Sequence, residues 1–304
     1  MKAKSSIAWR TDFLAFATNS GEDEEEETTG YKYRETEFFD DEKITKQVDY
    51  DKNGGITLEL YNKFDNKGRL IESLEINHED ELEEKTILEY DSEGRLISET
   101  QYYNDEIFEK AINIYNADGL LTETATFDAD EAPFLRQTRE YNDKKQNILI
   151  RHYEEGEPIW EIKRIFDEGE LPVEEITTLL KEKKSERTKH TYNGEGKRIK
   201  SEVFDRKGNH IHTTEDEYDE NGNHIRQIND GAIDNTSTIR TNVYDENNRL
   251  TETEIYDALN NILSSKEIYI YNEKGQPIEQ EFYHNNTIRG MQKTHFLLKI
   301  EYCD

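Results

Sequence analysis

The chain has 304 residues, 33% hydrophobic and 36% charged, where an ordinary globular domain carries roughly 45–50% apolar and about 25% charged residues, so a single thick core is excluded. Thirty-nine basic residues against 69 acidic ones leave a net charge of −30, a field that repels DNA, RNA and anionic membranes and attracts a basic protein. One cysteine, Cys303, excludes a disulfide framework within the chain.

From the N-terminus, Lys2 and Lys4 precede a stretch that Arg10 and Asp12 interrupt. No secretory signal is therefore expected. No run approaches the roughly 20 apolar residues of a membrane helix, so a cytoplasmic protein is expected. Ile7, Trp9, Phe13, Leu14 and Phe16 stand out in a polar chain, and six consecutive acids follow, Glu22 to Glu27. Acid runs are commonly solvated tethers. Residues 1–30 thus read as an apolar segment plus an acidic linker, and residues 31–304 as the main domain. Two roles are open for the segment. It caps the first strands and covers a sheet edge, or it docks on a partner through Trp9, Phe13, Leu14 and Phe16 beside Glu24, Glu25 and Glu26, since aromatic anchors dominate interfaces.

Beyond it, aromatic marks recur at Phe64, Tyr90, Tyr115, Tyr141, Phe166, Tyr192, Tyr218, Tyr244 and Tyr271, spaced 25 to 27 residues apart. A second aromatic often lies 12 or 13 residues on, at Tyr103, Phe127, Tyr153, Phe204, Tyr256 and Tyr283. The unit is a half-repeat of about thirteen residues, a β-type run and then a short turn signal. This predicts an all-β antiparallel meander of about twenty short strands from Tyr31 onward. With so few apolar residues, an extended, twisted repeat sheet is expected, largely one layer or curling on itself.

The turn chemistry is explicit in "YDSEGRL". Tyr90 ends a strand, Asp91 accepts from backbone N–H groups in the turn, and Gly94 supplies a positive φ. Tyr218, Asp219 and Gly222 repeat the pattern. Tyr244 and Asp245 do so with Asn248 in the glycine's place, asparagine being the next best left-handed residue. The segment from Leu171 to Tyr192 is helix-like in composition, but the aromatic register runs through it unchanged. Two strands joined by a turn at "KEKKS" are predicted there. "NDGAIDNTS", from Asn229, reads as a longer hairpin loop.

The phrases "YDSEGRL", "FDNKGRL" and "YDENNRL" resemble the YD repeat of the bacterial RHS/YD-repeat proteins, over roughly Tyr50 to Tyr283. The resemblance implies long β-sheets and roles in bacterial competition, toxin delivery and surface interaction. No "DPxGR"-type core and no toxin segment follow the repeats here. What the resemblance implies is a bacterial interaction protein, of immunity or antitoxin type or an adaptor of a secretion or injection system. A protein partner is expected, basic in charge (a toxin or a secretion-machine component), and the oligomeric state is open. Carbohydrate or cell-surface binding is the alternative.

Chemistry-bearing constellations are few. His210 and His212 lie two apart on a strand and His224 follows a turn later. The three could hold zinc, against the reading that "NHI" is a repeated turn variant. "DENGN", Asp219 to Asn223, has the residue types of a calcium loop but lacks the EF-hand's terminal glutamate and flanking helices. Repeated exposed carboxylates offer no pair in two different environments, as acid–base catalysis needs. No nucleotide loop or nucleophile motif is present. No enzyme activity, metal or other cofactor is expected.

Overall fold

In the computed structural model, residues 5–17, 23–27, 29–39, 43–231, 237–286 and 292–303 are described. All regular structure among them is β. The first strands are β1 (Ser5–Ala17), β2 (Asp23–Glu27), β3 (Tyr31–Phe38), β4 (Ile44–Tyr50) and β5 (Ile56–Phe64). Then come β6 (Leu70–Asn77), β7 (Leu82–Tyr90), β8 (Leu96–Tyr103), β9 (Glu106–Tyr115), β10 (Leu121–Asp128), β11 (Pro133–Tyr141) and β12 (Asn147–Glu154). β13 (Glu157–Phe166), β14 (Pro172–Leu179), β15 (Lys184–Tyr192), β16 (Arg198–Asp205), β17 (His210–Tyr218) and β18 (His224–Gly231) follow. β19 (Ser237–Tyr244), β20 (Leu250–Asp257), β21 (Ile262–Tyr271), β22 (Pro277–Asn286) and β23 (Gln292–Cys303) complete the chain. The predicted antiparallel meander is present, with 21 strands from β3 onward.

The contacts divide the chain into two units. One comprises residues 58–211. In it every consecutive pair from β5 to β16 is antiparallel. The helix-like segment is two strands, β14 and β15. Their turn is Leu180–Lys183, slightly earlier than expected, and Lys184 and Ser185 already belong to β15.

The other unit comprises residues 1–57 and 212–304. β17 to β23 form a consecutive antiparallel ladder, and β3 pairs with β4. The extended repeat sheet expected from the sequence is corrected here, because β1 is paired on both sides. Ser5–Phe13 of β1 pairs with His295–Cys303 of β23 on one side, and Ser5–Arg10 pairs with Tyr31–Glu37 of β3 on the other. Within this unit β1 thus joins the last strand to β3. This pairing satisfies N–H and C=O groups that β3 and β23 would otherwise leave open to other chains. The acidic run is not a tether throughout, because β2 pairs with the second half of β1. Of the loop expected from Asn229, Asn229–Gly231 belong to β18 and Ser237 to β19; residues 232–236 lie outside the described residues.

Burial follows composition. Ala8 and Val48 are the buried hydrophobic residues among those described, while Ser98, Thr100, Ser201, Asn242 and Thr253 are buried polar ones. No large side chain there is fully buried. The sheet is held by its ladder and by cross-strand polar pairs rather than by a thick core. Thr253 Oγ1 donating to Asn242 Oδ1 at 2.9 Å is one such pair. No helix among the described residues is long and apolar enough to cross a membrane.

Candidate interaction surface

The repeated phrase builds one turn many times. Gly94 N–H donates to the Asp91 carbonyl at 3.0 Å and Asp91 N–H to the Arg95 carbonyl at 3.0 Å. Asp91 Oδ1 accepts from the N–H groups of Glu93 and Arg95. Gly94 has φ +87°, the left-handed value that glycine adopts at least cost. The register then slips. Glu89 faces Ser98 but Tyr90 faces Leu96, so Ile97 is an extra residue, a bulge beside a hairpin turn. Asn248, with φ +59°, fills the glycine's place as predicted. Tyr90, Asp91, Gly94, Tyr218, Asp219, Gly222, Tyr244 and Asp245 are therefore architectural.

Two residues of the phrase, the tyrosine and the arginine, also reach from one repeat to its neighbour, which sequence reasoning did not find. Tyr90 Oη donates to the Leu70 carbonyl at 2.8 Å. Tyr115 does so to Leu96, Tyr141 to Leu121, Tyr192 to Pro172, Tyr244 to His224 and Tyr271 to Leu250. Each acceptor opens the strand after the preceding turn. Asn113 and Asn242, two residues before their tyrosines, donate to the same carbonyls. The arginine after the glycine grips its own turn and covers the next tyrosine. Arg95 Nε bonds Asp91 Oδ2 at 2.7 Å while its guanidinium lies 5.0 Å from the Tyr115 ring centre. Arg69 and Arg249 lie likewise over Tyr90 and Tyr271. The signal that could have shown this was the preference for tyrosine over phenylalanine at marks spaced one repeat apart.

These bonds set the electrostatics. The Asp91 carboxyl is held below the usual carboxylate range, first by the backbone N–H of Arg95 and then by its guanidinium. Asp65 is lowered in the same way, and Asp245 mainly by the Arg249 side chain. Basic residues on the strands are similarly engaged. Arg34 bonds both oxygens of Asp49, Arg151 meets Glu161, Arg164 meets Glu175 and Arg226 meets Glu217. Since acids outnumber bases by 30, carboxylates remain in surplus even if every base takes one. Glu220, Glu246 and Glu273 stand exposed at three neighbouring turn tips of one unit. Strands spaced about 4.8 Å apart put such tips roughly 10 Å from one another.

The other sequence-predicted residues fall in different places. Trp9 pairs with Lys299 and Lys32 and is 41% exposed. Phe13 faces Glu27, Leu14 faces Glu26 and Phe16 faces Glu24, with Glu25 opposite Ala15, so the apolar and acidic segments form one hairpin. The histidines have separate surroundings. His210 lies edge-on to Phe204 at 5.6 Å, His212 Nε2 bonds the Thr214 hydroxyl, and His224 Nε2 bonds the buried Asp216 at 2.9 Å. Among the described residues no three His, Cys, Asp or Glu side chains gather as a metal site. Asp219 of the calcium-like stretch accepts from the N–H groups of Asn221 and Asn223 and from the Asn223 side chain. Its oxygens are turned to its own turn. A concavity of about 410 Å³ lies over β1, β3 and β4, lined by Ser6, Thr36 and Val48 with Glu35 and Lys46. Glu35 accepts from Tyr50 and Lys32, which lower its pKa.

No protein-family model matches the chain, and no characterised protein matches it in sequence. Among solved structures it is similar to TcdB2-TccC3 without its hypervariable C-terminal region, at 10% identity and a TM-score of 0.33. That alignment covers 95% of this chain but 19% of the other, so the chain spans about a fifth of that protein's length. It is also similar to a porin-like protein from Bacteroides uniformis, at 12% identity and a TM-score of 0.37, over 73% of this chain and 96% of that one. The likeness is weak, and membership of a family does not follow from it.

Proposed function

We propose that this chain is a non-enzymatic protein-interaction module that engages a basic partner protein through its surplus carboxylates. The observation that carries the reading is the division of charge. Arginines are spent on intrachain partners such as Asp65, Asp91 and Asp245, while Glu220, Glu246 and Glu273 project at neighbouring turn tips. An evenly spaced row of negative charge on a rigid ladder steers and orients a positively charged protein. An immunity or antitoxin protein facing a basic toxin would use it, as would an adaptor of a secretion or injection system. The repeat tyrosines support a protein ligand over sugar stacking, because Arg69, Arg95 and Arg249 cover ring faces that a sugar would need.

The test is affinity capture from the native host across a salt series, with the wild type beside Glu220→Gln/Glu246→Gln/Glu273→Gln. A basic partner released as salt rises from about 50 mM to about 0.5 M, and held at least about tenfold more weakly by the variant, is the expected result. A neutral or acidic partner, retained at high salt and indifferent to the variant, would overturn the reading.

A further inference from the structure

One part of the chain inverts the overall charge. Residues 181–210 hold ten basic and five acidic residues, a surplus of five, so the remaining residues carry −35. The fold gathers this segment on β15, β16 and their flanking turns. Ile176, Arg187 and Phe204 stand opposite one another across β14, β15 and β16, and Glu174, Lys189 and Glu202 form the neighbouring row. A concavity of about 360 Å³ lies on this face, with Ile176 and Phe204 among its lining and Arg187, Lys189 and Arg206 around it.

The charges there are of two kinds. Arg187 is bound to Glu174 at 2.5 Å. Asp205 is spent on its own turn, accepting from Lys207 N–H, Asn209 N–H and the Asn209 side chain. Among the described residues, no carboxylate pairs with Lys183, Lys189 or Arg206. Arg206 is held in place by donating from Nη1 to the Lys183 carbonyl at 3.1 Å, which ties the β14–β15 turn to the β16–β17 turn. Lys189 Nζ lies 5.5 Å from the Phe204 ring centre. The result is an apolar floor beside Lys189 and Arg206, with Lys183 in the adjoining turn and Glu186 also in the lining.

We propose that this face binds an acidic, extended segment of a partner protein, which sets an apolar side chain on Ile176 and Phe204 and carboxylates against Lys183, Lys189 and Arg206. The mixed floor and rim suit a peptide. The extent of the positive region argues against nucleic acid. A phosphate backbone carries charge all along its length, and would run from these two strands onto surface dominated by carboxylates.

The probe is a fluorescein-labelled Glu-Glu-Leu-Glu-Glu peptide, titrated into the full chain by fluorescence anisotropy at low salt. The comparison variant is Lys183→Glu/Lys189→Glu/Arg206→Glu, with circular dichroism as the folding control. Lys189→Gln alone serves where the triple variant does not fold, since Lys189 has no ion pair to lose and a neutral residue adds no third carboxylate to the row of Glu174 and Glu202. Saturable binding that weakens about tenfold or more in the variant is expected. An all-lysine peptide, which reports on the acidic surface instead, should bind wild type and variant alike, so the two readings fail separately. No binding of the glutamate peptide, equal binding by the variants, or tighter binding of a thymidine oligonucleotide that the variants abolish would each overturn the proposal.

Discussion

Tyr90 donates its phenolic hydrogen to the carbonyl oxygen of Leu70, twenty residues earlier, at 2.8 Å. The acceptor opens the strand after the preceding turn, so the bond joins one hairpin to the next. Tyr90→Phe removes the donor and leaves that carbonyl dependent on solvent. A half-buried hydrogen bond of this kind is worth about 1 kcal/mol. Tyr115→Phe should cost less, because Asn113 still donates to the same Leu96 carbonyl at 3.0 Å. Urea unfolding of the two variants checks the order. Asn113→Ala/Tyr115→Phe should cost more than its single changes added together, as neighbours on one acceptor are coupled.

Left-handed turn positions give a second, opposite pair. Gly94→Ala places a Cβ about 3.2 Å from Arg69 Nη1 at φ +87°, and should cost about 1–2 kcal/mol. Lys145 occupies the equivalent position at φ +64° without being glycine. Lys145→Gly relieves that strain and should raise the melting temperature by a few degrees, net of glycine's chain entropy. Thermal unfolding of both variants measures it, and a lower melting temperature for Lys145→Gly would refute the strain.

The pH dependence has two limbs. Between pH 7 and the isoelectric point near 4.7, protonation relieves the self-repulsion of a −30 chain, so stability rises. Asp65, Asp91, Asp205, Asp219 and Asp245 have folded pKa values below their ordinary ones. Their contribution is complete above the unfolded value, about 3.9, and is lost as pH falls through the lower folded values. Maximum stability is expected near pH 5, with a decline below about 4. Melting temperatures from pH 3 to 8 give the profile, and a maximum at pH 8 would contradict it.

Deleting residues 1–17 removes the strand between β23 and β3. Both neighbours then become edges, whose unpaired backbone groups recruit other chains. The truncated chain should melt lower and aggregate at concentrations where the full chain does not. Light scattering and thermal unfolding test this. A truncation that stays monodisperse and equally stable would show that β1 is dispensable.

The sequence by itself determined the period, the strand count, the antiparallel order and the turns. Each depends on residues next to one another in the chain: an aromatic, an Asp or Asn, and a residue able to take positive φ. Asn248 could be assigned in advance for that reason, and so could the strands hidden in the helix-like segment after Leu171. What lay beyond reach was whatever depends on partners far apart in sequence. The carbonyl that Tyr90 meets belongs to another repeat. The pairing of Ser5–Phe13 with His295–Cys303 joins opposite ends of the chain, and local periodicity does not say which distant strand a strand meets. Which charges are spent and which are left over was likewise decided only in three dimensions. Glu93 and Glu220 are both turn glutamates in the sequence, but Glu93 meets Arg95 and Glu220 stands exposed at its turn tip. Long-range pairing and residual charge are properties of cross-strand neighbours, and those exist only once the ladder has formed.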